Sequence, residues 1–184
     1  MKALLRGLVP MIAALALGGT AMAADLENTL YLDVPAGRVV IELRPDLAPD
    51  HVAQIKALAR RGFYDGVPFH RVIEGFMAQT GDPTGTGTGG SGHKLKAEFS
   101  GEKHVRGTTS MARATDPNSA DSQFFIMFAP APSLDGQYTI WGKVASGMEY
   151  IDQVKKGDQA RNGVVANPDK IVKMQVAADA EKAK

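Results

Sequence analysis

The chain has 184 residues, a formal net charge of +1 and no cysteine. The lack of cysteine excludes disulfides, thiol catalysis and cysteine-based zinc sites. The near-balance of charge gives no footing for a nucleic-acid partner or an anionic membrane surface.

Residues 1–23 open with Lys2 and Arg6, run through a mostly apolar stretch over 8–17 and end on Ala21-Met22-Ala23. A basic start, an apolar middle and an A-x-A end predict a secretory leader cleaved after Ala23. As a retained anchor the stretch falls short of the roughly 20 apolar residues a spanning helix needs, with Pro10 inside it and Gly18 and Gly19 directly after it. The expectation is therefore an exported protein with no stable membrane insertion after cleavage, periplasmic where the host has an outer membrane. The rest suits one domain over 24–176, followed by a small, charged tail over 177–184 that is expected to be flexible.

Past the leader the dominant period is two. Leu30, Leu32 and Val34 alternate with Thr29, Tyr31 and Asp33, and after Pro35-Ala36-Gly37 the residues Val39, Ile41 and Leu43 continue the pattern. This predicts an opening hairpin with one buried face. Further strands are expected over 68–73, 76–80, 108–111, 123–128, 138–144 and 171–176. Two stretches read as helices. From Pro49, the residues Val52, Ile55, Leu58 and Ala59 share one face until Gly62, and Met148, Ile151 and Val154 do the same before Gly157. About eight strands and two helices point to a mainly β fold, a closed eight-stranded antiparallel barrel capped by two α-helices, since closure leaves no sheet edge exposed.

Several motifs invite other chemistries. Gly85-x-Gly87-x-x-Gly90 matches a dinucleotide fingerprint, but no helical pattern follows it, so residues 81–92 read as a surface loop. The histidines His51, His70, His93 and His104 lack the close helical spacing of a metal site, and no metal is expected. Ser110 and Ser122 lack a nucleophile-elbow context, and no histidine and aspartate are evidently placed to serve them.

What remains is a set of polar and apolar residues two apart on the expected strands. Met77 and Gln79 face one side, as do Gln123 and Phe125, and Arg71 shares a face with Phe69 and Ile73. Each alone reads as an outward residue of an amphipathic strand.

Together they carry a resemblance. Phe69-His70-Arg71-Val72-Ile73-x-Gly75-Phe76-Met77-x-Gln79-x-Gly81-Asp82-x-Thr84 closely resembles the cyclophilin signature. So do Ser110-Met111-Ala112, Ser122-Gln123-Phe124-Phe125-Ile126, Leu134-Asp135-Gly136 and Gly142-Lys143-Val144-x-x-Gly147-Met148. The resemblance implies the same capped eight-stranded barrel and peptidyl-prolyl cis-trans isomerase activity without a cofactor. It puts the catalytic arginine at Arg71 and a supporting glutamine at Gln79. It maps the proline pocket onto Phe76, Met77, Phe125 and Leu134, with Tyr138 beside it and Gln123, Ala112, Arg113 and Ala114 along the peptide groove. The implied partners are proline-containing peptides and unfolded exported proteins, met by a monomer. A binding chaperone with incidental isomerase activity is the alternative, and a small barrel carrying an apolar ligand a more distant one.

Three positions depart from the best-known eukaryotic members of that family. Arg113 replaces asparagine at a position that holds substrate through its backbone. Ser133 replaces the tryptophan whose indole N–H binds cyclosporin, so only weak drug binding is expected. Tyr138 replaces a histidine.

Overall fold

The computed structural model describes residues 25–182. The expected leader over 1–23 lies outside the described residues.

Eight strands form one antiparallel sheet: β1 (Thr29–Val34), β2 (Gly37–Leu43), β3 (Arg71–Ile73), β4 (Met77–Thr80), β5 (Thr108–Met111), β6 (Phe124–Met127), β7 (Ile140–Ser146) and β8 (Lys173–Val176). The opening hairpin pairs Leu32 with Val39 and sends Leu30, Leu32, Val34, Val39, Ile41 and Leu43 into the core at 0–4% exposure. Helix α1 (Pro49–Arg60) lays Val52, Ile55, Leu58 and Ala59 on the same core, beside β7 and β8. Each of the larger side chains so buried contributes about 1.5–3 kcal/mol. The sealed core is completed by Trp141, Phe124 and Tyr64, packed edge to face at 5.2 and 5.7 Å.

Ala48, the residue before α1, has no side chain to cap the helix. The carboxylate of Glu98 does so from far along the chain, accepting the N–H groups of Asp50 and His51 at 3.2 and 3.1 Å and facing His51 Nδ1 at 2.6 Å. The carboxylate oxygens thereby satisfy helix-start amides that would otherwise be unpaired. Burial alone would raise the Glu98 pKa, but the bonds from His51 hold it below the usual range.

Three expectations are corrected. The sheet is an open curl through 205° rather than a closed barrel, in the order β3-β4-β6-β5-β7-β2-β1-β8. Its ends meet through short contacts, among them Gly66 N–H to Ile171 O, Ile171 N–H to Val67 O and Phe69 N–H to Asp169 O. Pro68 sits at that seam opposite Lys170, and a proline has no N–H to continue a ladder. The strands expected from 68 and 171 accordingly begin at Arg71 and Lys173. The described residues also hold three α-helices rather than two: α1, α2 (Met148–Asp152) and α3 (Ala177–Lys182). Helix α3 occupies residues 177–182 of the stretch expected to be a flexible tail. It buries Ala177 and is tied down by Asp179, which accepts from Arg60 Nε at 2.8 Å, while Arg60 also reaches Glu27.

Candidate active site

The register of four strands assembles a single row of side chains. Arg71 on β3 lies opposite Gln79 on β4, Gln79 opposite Phe125 on β6, and Phe125 opposite Ser110 on β5. The next row on that face is Ile73, Met77 and Met127, and the intervening residues Val72, Ala78 and Ile126 point into the sealed core. Met77, Phe125, Met127 and Ala131 thus form a second apolar cluster, with Phe76, Ala112, Leu134 and Tyr138 packed against it and partly exposed.

A cleft of about 180 Å³ opens over this cluster, lined by Arg71, Phe76, Met77, Gln79, Ala112, Arg113, Phe125, Leu134 and Tyr138. Of the residues the resemblance put at the site, only Ala114 and Gln123 lie outside this lining. They line an adjoining depression with Gly87, Gly89, Lys94 and Asp121, which shares Gln79, Ala112 and Arg113 with the cleft. Turn residues make the two walls meet. Gly81 has φ +91°, and a β-carbon there would lie 2.4 Å from Ser122 O, so only glycine lets the chain leave β4 against the segment that carries Gln123.

Arg71 is half-buried and held at three points. Its Nη1 donates to Gln79 Oε1 at 3.0 Å, its Nε to Asn162 O at 3.0 Å and its Nη2 to Asn162 Oδ1 at 2.9 Å. Burial lowers its pKa from the usual arginine value, yet a guanidinium stays cationic throughout the neutral range. Gln79 Nε2 donates to Gln123 Oε1 at 2.9 Å, and Gln123 Nε2 donates to Gly87 O and Gly89 O at 3.0 and 2.8 Å. The carbonyls of the glycine-rich loop therefore set the polarity of a side-chain chain ending on Arg71.

That loop is itself organised by Asp82, whose carboxylate accepts from the N–H groups of Thr84, Gly87 and Gly89 and from the Thr84 hydroxyl. Burial opposes ionisation, but these bonds bring its pKa down to about 2. The loop thus serves the arginine, with its amides spent on Asp82 rather than turned toward a phosphate.

The Arg113 guanidinium lies over the Tyr138 ring at 4.5 Å and donates to the carbonyls of Gln137, Ala114 and Thr115. On either side of it the N–H groups are committed, Ala112 to Gln123 O and Ala114 to Ser119 Oγ, both at 2.9 Å. Ser133 is exposed on the turn before Leu134. His70 is buried, and burial pushes its pKa down.

Two features escaped the sequence reading. Asn162 holds Arg71 from a left-handed turn with φ +55°, and its only trace in the sequence is the turn-forming pair Asn162-Gly163. The second is a correction: a histidine and an aspartate do serve Ser110. His104 Nε2 lies 3.1 Å from Ser110 Oγ, and His104 Nδ1 lies 3.2 Å from Asp135 Oδ1. The arrangement has the connectivity of a hydrolytic triad, but Ser110 is fully buried and its Oγ also lies 2.9 Å from Thr139 O. No substrate carbonyl reaches it, so it is not a nucleophile. Ser122 is equally sealed and donates to Gly81 O at 2.7 Å.

A family model described as cyclophilin type peptidyl-prolyl cis-trans isomerase/CLD matches residues 29–176. A probable peptidyl-prolyl cis-trans isomerase of Brucella suis is 59% identical over 172 residues, covering 87% of this chain and 88% of that one. Peptidyl-prolyl cis-trans isomerase B of Bacillus subtilis is 47% identical over 135 residues, covering 72% of this chain and 94% of that one. Among solved structures, a cyclophilin type peptidyl-prolyl cis-trans isomerase from Cryptosporidium parvum, crystallised in the presence of the dipeptide Ala-Pro, superposes with a TM-score of 0.74. It is 32% identical, with 80% of this chain and 98% of that chain covered.

Proposed function

We propose, because the chain belongs to the cyclophilin-type peptidyl-prolyl cis-trans isomerase family and is a peptidyl-prolyl cis-trans isomerase, that Arg71 and the cleft beside it turn over Xaa-Pro bonds in exported proteins. The observation that carries this reading is a guanidinium fixed at three points on the rim of an apolar cleft.

An Xaa-Pro bond has nearly equal cis and trans energies separated by a barrier of roughly 20 kcal/mol. Lowering that barrier by ~5.4 kcal/mol accelerates exchange about 10⁴-fold. Rotation breaks amide resonance and gives the proline nitrogen a lone pair that accepts a hydrogen bond. A guanidinium aimed at that nitrogen stabilises the twisted state more than either planar state. Three of the five Arg71 donors are taken by Gln79 and Asn162, which aims the remaining Nη1 and Nη2 N–H groups, one of them near Met77 Sδ at 4.0 Å.

One charge-assisted hydrogen bond contributes about 1.5–3 kcal/mol, short of the whole reduction. The remainder comes from seating the proline ring on Phe76, Met77, Phe125 and Leu134 while the chain on one side rotates. The Arg113 backbone, between two committed amides, is the partner for the extended peptide, and Ala112, Ala114 and Gln123 border its path. The Arg113 side chain lies against Tyr138, which leaves that backbone clear.

An exchange assay on an Xaa-Pro peptide tests the site, and peptide binding without acceleration would favour the chaperone alternative. N-terminal sequencing of protein recovered from outside the cytoplasm tests export. It is expected to begin at Ala24, and a cytoplasmic chain retaining residues 1–23 would contradict that expectation.

A further inference from the structure

Behind the cleft lies a proton-bearing group that the mechanism above does not use. The His104 side chain is 0% exposed. Its ring stacks on Phe125 at 6.2 Å and 23° and meets the edge of Tyr138 at 6.5 Å. Its polar partners each belong to a different part of the cleft. Asp135 follows Leu134, accepts the His104 backbone N–H at 2.8 Å and faces the ring at 3.2 Å. Ser110 opposes Phe125 in register. The carbonyl near Ser110 is that of Thr139, the residue after Tyr138.

We propose that His104 is a positioning residue for the proline pocket, and that adding a proton to it tightens the walls formed by Phe125, Leu134 and Tyr138. The inference rests on the cleft being that pocket. Proton counting carries it. A carboxylate at Nδ1 requires that nitrogen to bear hydrogen, so in the neutral ring Nε2 is an acceptor. Ser110 then has one hydroxyl proton for two acceptors, His104 Nε2 at 3.1 Å and Thr139 O at 2.9 Å, and one contact goes unmade. With a second ring proton every contact is matched: Nδ1–H to Asp135, Nε2–H to Ser110 Oγ, and the Ser110 hydroxyl to Thr139 O. One proton thus supplies the missing donor at His104 Nε2 and closes a continuous chain from the Leu134 turn to β7.

The other charged groups around this chain are few. Lys103 lies 3.3 Å from Asp135 Oδ2, Arg113 lies over the Tyr138 ring, and Arg71 lines the same cleft. Burial pushes the His104 pKa down while Asp135 opposes it, so the transition falls below the ordinary histidine value of about 6.5.

The test is to measure kcat and KM for an Xaa-Pro peptide from pH 5 to 8, alongside an NMR titration of the His104 ring nitrogens and of the Phe125 and Tyr138 ring protons. The expected result is a KM that falls about two- to tenfold on acidification through the His104 midpoint, the range of one added hydrogen bond, with kcat nearly constant. The Phe125 and Tyr138 signals are expected to share that midpoint, and His104→Gln is expected to abolish the KM dependence. A KM that ignores the His104 titration, or the same dependence in His104→Gln, overturns the proposal. Should that variant not fold, the titration of the unmodified chain decides alone: ring signals that do not follow His104 overturn it. Isomerase activity with a pH-independent KM defeats only the positioning role, whereas no exchange at any pH defeats the functional reading and this inference together.

Discussion

The two apolar clusters share strands β4 and β6, and one step along either strand crosses from one cluster to the other. Phe124 is sealed at 0% exposure against Tyr64 and Trp141, while Phe125, its neighbour in sequence, faces the cleft against Tyr138 and His104. The sealed cluster is packed by the sheet and α1, and its role is stability. The second is bordered by Arg71, Gln79 and Arg113 and left open on one side, so apolar contacts that burial would have supplied remain available to a ligand. The contrast teaches that a single β-register builds a core and a site from one run of hydrophobic sequence, the site being the face where polar residues interrupt the alternation.

Substituting the two phenylalanines breaks the comparison most sharply. Phe124→Ala is expected to cost about 3–5 kcal/mol of stability, read from chemical denaturation, with kcat/KM of the remaining folded protein little changed. Phe125→Ala is expected to do the reverse, losing less stability because its ring borders the open cleft, and raising KM for an Xaa-Pro peptide. Equal stability losses in both would show that the two clusters are one.

A smaller effect probes the polar border. Asn162→Gly keeps a backbone that accepts φ +55° and removes only the side-chain acceptor of Arg71. A loss of about 0.5–1.5 kcal/mol predicts a two- to twelvefold fall in kcat/KM with an unchanged melting temperature. An unaltered rate would mean that Gln79 and the backbone carbonyl of residue 162 suffice to aim the guanidinium. On the apolar border, Ser133→Trp is expected to tighten cyclosporin binding with little effect on turnover of a short peptide. Nanomolar binding by the unmodified chain would contradict the role given to Ser133.

The smallest expected effect is none. Between pH 7 and 9 the rate should be flat, because Arg71 does not titrate there and burial places the pKa values of both His70 and His104 below the ordinary histidine value. A limb in that range that vanishes in His70→Gln would move the chemistry onto His70. Loop stability, in contrast, is expected to respond at the acid extreme. The lowered pKa of Asp82 means its contribution is complete above the unfolded value near 3.9 and is lost as pH falls through about 2. Asp82→Asn should remove that part of the acid dependence.

Much of this was legible in sequence because it is local. The period-two alternation of Leu30 to Leu43 announces its own buried face, and the spacing of Arg71, Met77, Gln79 and Phe125 carries a motif. What could not be read depends on pairings between distant segments. The cap on α1 comes from Glu98, two of the three anchors of Arg71 from Asn162, the ring partner of Ser110 from His104, and the carboxylate behind that ring from Asp135. None of these follows from a residue's neighbours in the chain. The seam at Pro68 was visible as a proline, but that it faces Lys170 was not. Helix α3 looked like a tail because its anchor, Arg60, lies on another helix.

The most direct test of the central claim is the cis-to-trans exchange rate of an Xaa-Pro peptide with purified Arg71→Ala, its fold checked by thermal melting. Loss of about 1.5–3 kcal/mol of transition-state stabilisation predicts a 10- to 150-fold fall in kcat/KM, with little recovery in Arg71→Lys because lysine lacks the planar fork. Full activity in a folded Arg71→Ala protein would contradict the assignment of catalysis to this guanidinium.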